Sequence, residues 1–371
     1  MKKSPDGFSA TRTLAWGSVP RGKWSLVTDL PIFAAGLALF YAFIWLARYW
    51  AGPFTPSVEI SRSASALPLY AAYSLLRIGV AYLLSLIFTL VYGYVAAYNP
   101  KAERVMIPLL DILQSIPVLS FLPGVMLAMV SLFPRHQIGV EFGAILLIFT
   151  GQVWNMVFSF YSSLKSIPRD LREAARLYRF GRWQRFIQME LPYAAIGLVW
   201  NSMMSVAGGW FFLMACEMFV LGSRDFRLPG LGSYLQTASS EGDTQAIVLG
   251  LVAMVAVIVI LDQLVWRPLI AWAQKFKLEQ VEASEEPHSR VLDFLRSSHT
   301  LSLLSRRITR PLSERIALHF ARPESPSAIA DERTSARKWA LRVVLLLGAI
   351  GILVAVVDAF RLLSGLAGGD V

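Results

Sequence analysis

Cysteine is almost absent from this chain. Cys216 is the only one among 371 residues, so an internal disulfide and a cysteine-based metal cluster are both excluded. Histidine is nearly as scarce. His136, His288, His299 and His319 are scattered and show no metal-ligand spacing. The phosphate-cradling pattern Gly-x-x-x-x-Gly-Lys-Ser/Thr does not occur, which removes the common nucleotide-hydrolysing loop from consideration. Charge is sparse as well. Only 16% of residues are Asp, Glu, Lys or Arg, against 55% hydrophobic, and the mean hydropathy is +0.52. A soluble domain rarely carries so few charges.

Long apolar runs stand where charge is missing. A bilayer core of ~30 Å needs ~20 residues of helix. Runs of that kind fall at about 31–50, 69–97, 105–133, 139–162, 192–222, 245–270 and 339–364. The expected fold class is an all-α polytopic membrane protein with a six-span unit over 30–270 and one further C-terminal span. Residues 1–29 read as a tail, 271–338 as a charged connector ending in the linker-like Pro323-Glu-Ser-Pro-Ser327, and 339–371 as the segment holding the seventh run. Polar residues inside the spans are the candidates to line a pathway: Gln114, Ser115, Gln152, Asn155, Asn201, Ser205 and Glu217. Each has a plainer role as a helix–helix hydrogen bond. The third span is interrupted twice, at Gln114-Ser-Ile-Pro117 and at Pro123-Gly124, and broken helices are tolerated only beside protein or a water-filled cavity. Arg77 sits about two turns from one end of its span. It belongs either to the pathway or a buried ion pair, or to the headgroup interface, and the expectation is the interface. Glu141, Glu217 and Asp262 read as isolated, with Asp262 set to pair with Arg267 or to face headgroups.

The net charge of +10 invites a nucleic-acid reading, but its distribution fits a membrane protein better. Five basic residues lie in 1–29, two in 99–105, seven in 163–187 and twelve in 271–338, against four in the opposite loops, namely Arg62, Arg135, Arg224 and Arg227. Cytoplasmic loops collect Lys and Arg, so the N-terminus and the 163–190 loop are expected inside, and no nucleic-acid partner is expected.

That loop carries the most informative stretch, 168–192. Leu171, Ala174, Ala175 and Tyr178 recur at i, i+3, i+4 and i+7, one face of a helix, with Arg172, Arg176 and Arg179 off that face. Gly181 is expected to break the helix and Pro192 to open the next. Small alanines in an apolar face permit close approach of a partner backbone.

The stretch resembles the ATPase-docking loop of inner-membrane permeases of binding-protein-dependent ABC importers. That family shows Glu-Ala-Ala, three residues, Gly, nine residues, then Ile-x-Leu-Pro. Here the same spacing joins Glu173-Ala174-Ala175, Arg179 and Met189-Glu190-Leu191-Pro192. Arg179 replaces the family's glycine, and Gly181 is expected to supply the turn instead. Leu110-Asp111-Ile-Leu-Gln114-Ser115-Ile-Pro117 with Phe121-Leu-Pro123, and Glu217 followed by Gly230-Leu231-Gly232, are similar to the nitrate/sulfonate/taurine branch of that family.

The resemblance implies a pathway-forming permease without its own ATPase site, and so without a cofactor of its own; ATP and Mg would be bound by the partner. It implies ABC ATPase subunits, a periplasmic or extracellular solute-binding protein, and a second permease copy or half as partners in an inner membrane. Leu171, Arg172, Glu173, Ala174, Ala175, Tyr178 and Gly181 would form the docking element. Ala174 and Ala175 would enter the ATPase cleft, Glu173 would pair with a basic group there, and Arg172, Arg176 and Arg182 would face acidic groups or the anionic leaflet. The run at 339–364 would be the first span of a second half, or a seventh span of a subunit that pairs with another copy. The alternatives are an ion-gradient-driven transporter or channel, with Arg77 and Glu217 as coupling residues, and a membrane-embedded enzyme. For the enzyme, no paired carboxylates or Ser/Lys arrangement recurs at helical spacing.

Overall fold

In a computed structural model, residues 59–133, 136–221 and 224–276 are described, together with seven helical positions between Leu30 and Tyr41. The rest of the expected first span, Arg135, the connector beyond 276 and the seventh run lie outside the described residues.

The described chain is helical apart from one small hairpin. Helix α1 is Leu67–Tyr98, α2 Pro100–Ser115, α3 Val118–Leu132, α4 Ile138–Ser166, α5 Arg169–Leu177 and α6 Arg182–Glu217. Strands β1 (Val220–Leu221) and β2 (Arg224–Asp225) pair antiparallel, with Val220 opposite Asp225. Helix α7 is Leu231–Ser240 and α8 is Thr244–Phe276. By length and composition four helices can cross a membrane, and five if α2 and α3 form one span bent by 95°.

The boundaries follow from local chemistry. Asn99 ends α1 in an extended conformation, and its side chain accepts from the N–H groups of Lys101 and Ala102, capping α2 with Pro100 in its first turn. Asp243 caps α8 in the same way through Ala246 N. The α2–α3 break falls at Ile116-Pro117, as expected, because Pro117 cannot donate and disfavours helix before it. The second expected break is not there. Pro123 lies inside an uninterrupted α3, and Pro108 lies inside α2.

Pro192 stands in the first turn of the α-helical segment Leu191–Glu217, as expected, but that segment continues a longer helix. It sits within α6, which already begins at Arg182. The accommodation is a π turn over Phe186–Glu190, in which Leu191 N–H reaches back to Phe186 O. A second π turn spans Asp262–Trp266, with Arg267 N–H on Asp262 O, and Pro268 follows it at the same offset. A proline ring clashes with the carbonyl four residues earlier, and widening the preceding turn relieves that clash.

Helix α4 lies at the centre, with α1 along one side and α6 along the other. Its buried face is mostly apolar, with Ile145, Ile148, Val153, Met156, Val157, Phe160 and Leu164 all inside, and Glu141 and Gln152 are its buried polar members. Lipid tails are as apolar as these side chains, so close packing holds such helices together inside a bilayer more than the hydrophobic effect does. Small residues on α6 permit it; Ala194, Ala195, Ser202, Ser205 and Gly209 are buried. The outward face of α8 is bare apolar surface, including Leu251, Val252, Val255 and Val259.

Helices α1, α4 and α8 run from one pole of the bundle to the other, and α2–α3 and α6 return. The loop end carries residues 163–190; the far end carries the hairpin and α7.

Candidate functional site

Two polar constructions stand out, one at each pole. At the loop end, α5 is nine residues long and closes in a Schellman motif. Phe180 N–H donates to Ala175 O at 2.9 Å and Arg179 N–H to Arg176 O at 3.0 Å. The left-handed residue of that motif is Arg179, with φ of 50°. The turn therefore forms at the position where the resembled loop pattern has glycine, and not at Gly181, whose φ of −63° is ordinary for its place at the start of α6. An arginine in this conformation costs about 1 kcal/mol.

The motif residues divide into two groups. Ala175 is 5% exposed and packs into the bundle, Ala174 is half-buried, and Leu171 packs against the loop-end core. The alanines expected to enter a partner's cleft therefore mainly face their own chain, because α5 lies back on α4 and α6. Arg172 holds it there, donating from Nη2 to Leu164 O at 3.0 Å and Lys165 O at 3.2 Å, so it caps the end of α4 and does not project to a partner. Glu173 is exposed. The surface offered outward is Leu177, 84% exposed, and Tyr178, 76% exposed, with exposed Arg176 and Arg179 on either side.

Behind α5, the π turn places Glu190 entirely inside. Its Oε1 accepts from Tyr98 Oη at 2.6 Å and from Arg185 Nε at 2.6 Å, and the Arg185 guanidinium lies 5.1 Å over the Tyr98 ring. Nearby, Glu103 accepts from Tyr161 and from Lys165 Nζ at 2.7 Å, tying the start of α2 to the end of α4.

At the far end Arg77 does not reach an interface. It is 1% exposed and lies between two carboxylates. Its Nε and Nη2 donate to Glu141 Oε2 and Oε1, each at 2.7 Å, and its Nη1 donates to Glu217 Oε1 and to Pro229 O, each at 2.8 Å. Ser74 Oγ donates to Glu217 Oε1 at 2.6 Å and accepts from Leu231 N–H at 3.0 Å. Gly232 N–H donates to Glu217 Oε2 at 2.7 Å. Four elements, α1, α4, α6 and the start of α7, meet here. A Cβ at Gly230 would fall on the Glu217 carboxylate, and one at Gly232 would press on the same side chain, so both glycines are there for close approach. The carboxylates read as isolated in the sequence are thus joined, 64 and 140 residues away from Arg77.

The hairpin beside this hub carries its own pair. Asp225 and Arg227 bond side chain to side chain, down to 2.7 Å. Burial opposes ionisation of Asp225, but the guanidinium and the Arg227 N–H outweigh it and hold the carboxyl below the usual range.

The remaining pathway candidates do not share one surface. Gln152 and Ser205 are buried between α4 and α6, where their side chains make no hydrogen bond among the described residues. Gln114 and Ser115 are exposed at the α2–α3 bend, bonded to Asp111 at 3.0 and 2.8 Å. Asn155 is exposed, and Asn201 bonds back to Gly197 O at 2.9 Å. The expected Asp262–Arg267 contact forms at 3.2 Å. No cluster of His, Cys, Asp and Glu suited to a metal occurs among the described residues.

Comparison with known proteins gives this architecture its context. Residues 89–265 match the family described as binding-protein-dependent transport system inner membrane component. A nitrate import permease protein of Leptolyngbya laminosa is 23% identical over 52% of this chain and 64% of its own length. A bicarbonate transport system permease protein of Synechococcus elongatus is 23% identical over 56% of this chain and 68% of its own. A putative aliphatic sulfonates transport permease protein of Bacillus subtilis is 23% identical over 55% of this chain and 70% of its own. The chain thus spans about two thirds of these relatives. With α1 to α8 arranged as a helical, multi-pass membrane bundle, the match runs from the last third of α1 to the second π turn, a little under half of the chain, and over that stretch the chain is similar to the inner membrane components of binding-protein-dependent transport systems.

Proposed function

We propose that this chain is the permease subunit of an ATP-driven importer and that α5 is the element an ATPase subunit grips. The loop end then faces the cytoplasm, in line with the basic residues concentrated in 1–29 and 163–187. On this reading residues 1–29 are a cytoplasmic tail, 30–270 the six-span unit, 271–338 a cytoplasmic connector and 339–371 a seventh span. The pathway is completed by a second copy or half, solute is delivered by a binding protein on the opposite side, and hydrolysis belongs to the partner. Relatives named for nitrate, bicarbonate and aliphatic sulfonates share one chemistry, and a small anion is accordingly the solute class proposed here.

The observation that carries the docking reading is the protruding pair Leu177 and Tyr178. Two large apolar side chains are held out in water by a capped, anchored helix, with a tilted contact between Tyr178 and Phe180, ring centroids 6.2 Å apart, as the ring packing they gain there. Aromatic and aliphatic anchors in a basic rim suit an apolar pocket edged by acidic groups on a partner. The similarity to binding-protein-dependent transport components also weighs against the ion-gradient alternative, whose proposed coupling residues, Arg77 and Glu217, are bonded to each other.

Co-purification in detergent with the neighbouring ATPase subunit is the direct test. Wild type should retain the ATPase. Leu177→Asp and Tyr178→Arg should lose it while still inserting, and Glu173→Arg should weaken it. Retention by both Leu177→Asp and Tyr178→Arg would remove α5 as the docking element.

A further inference from the structure

The docking reading leaves the buried Glu190 without a purpose. We infer that Glu190 is a coupling residue, passing displacement of the docking segment through Tyr98 to α1 and so to the far-end hub. This inference rests on the docking reading above.

Glu190 belongs to the segment that descends from α5, yet its two recorded hydrogen-bond donors sit on different elements. Tyr98 is the last residue of α1, and Arg185 lies one turn back on α6. The adjacent Phe186 lies edge-on to Tyr94 of α1, with centroids 5.5 Å apart. The start of α6 is therefore fastened to the end of α1 through a polar contact and an aromatic one.

Helix α1 can carry a push. It has 32 residues, about 48 Å of helix, with its only proline in the first turn and no π turn along it. At its other end Arg77 and Ser74 hold Glu217, Pro229 and Leu231, the root of α7. Helix α6 connects the same two poles directly but contains the π turn at 186–190, where its pitch changes. Such turns recur at functional sites, and a change of pitch there would shift the segment below it relative to the segment above.

Stability alone is a poor account of Glu190. A fully buried carboxylate next to a partly exposed arginine gains little over an apolar pair of the same volume, and Glu190 Oε2 makes no hydrogen bond among the described residues. A charge kept in such a place at the foot of a docking segment suits a contact that is remade during a cycle.

The test uses the whole assembly: this chain, its ATPase subunits and its binding protein in proteoliposomes. A fluorophore on α7, at Ser240→Cys in a Cys216→Ser background, reports the far end when ATP is added. Tyr98→Phe deletes one hydroxyl and keeps the ring under Arg185. It should leave ATPase retention and basal hydrolysis unchanged, and cut the ATP-dependent signal roughly tenfold, within the span of ordinary coupling. Glu190→Gln should do the same. Glu103→Gln weakens a neighbouring loop-end contact off this route and should leave the signal intact. An unchanged signal in Tyr98→Phe, equal losses in Tyr98→Phe and Glu103→Gln, or no ATP response in a wild-type assembly overturns the inference alone. A wild-type chain that retains no ATPase overturns the docking reading and the inference with it.

Discussion

Replacing Arg77 by methionine should destabilise the bundle more than any other single change at the far end. The substitution keeps a long side chain and removes the guanidinium. Both hydrogen bonds recorded for the Glu141 carboxylate come from Arg77, so Glu141 is left buried without them. Glu217 loses one of three donors and keeps Ser74 and Gly232. The freed carbonyl of Pro229 adds a smaller loss. Breaking a buried ion pair by removing one partner costs about 3–5 kcal/mol. For a domain of this size that corresponds to a fall of roughly 6–20 °C in melting temperature. Detergent-solubilised protein, heated and scored by size-exclusion recovery, measures it. The triple variant Arg77→Met, Glu141→Met, Glu217→Gln should regain most of the loss, since apolar replacements of a whole buried network are often neutral. A single variant within about 2 °C of wild type, or a triple variant as unstable as the single one, refutes the reasoning.

Two more outcomes follow from the same geometry. Gly230→Ala places a methyl on the Glu217 carboxylate and should cost about 1–3 kcal/mol in the same assay, as overpacking does, whereas alanine at Gly208, which has open space, should be near neutral. Arg179→Gly relaxes a left-handed arginine at the end of α5 and should gain about 0.5–1 kcal/mol, while Arg179→Val should lose stability; equal melting curves for both would show that the Schellman turn is not under strain.

The spans within the described residues were legible because apolar run length is a local property. Pro117 was equally readable, acting on its immediate neighbours. The hub was not. Arg77, Glu141 and Glu217 lie far apart in the chain and only α4's central position brings them together, so each looks isolated along the sequence. The Glu217 and Gly230-Leu-Gly232 signal was present as a motif, but its meaning, a carboxylate seated on a glycine backbone, needs the fold. On α5 the periodicity was legible, but how its face divides between the bundle and the outside was not. Periodicity marks which residues share a side and does not say whether that side meets a partner or the chain's own bundle, and Ala175 and Arg172 turned inward. The turn was assigned to Gly181 because glycine tolerates positive φ at no cost, yet the spacing from Glu173 counted correctly to Arg179.

The two π turns affect how this chain is compared with its relatives. Each holds one residue more than an α-helical turn would need, so the helix beyond it is rotated by about 100° relative to an uninterrupted continuation. A homologue lacking the turn at 262–266 must therefore align with a one-residue gap there, or every position after Pro268 is assigned to the wrong face.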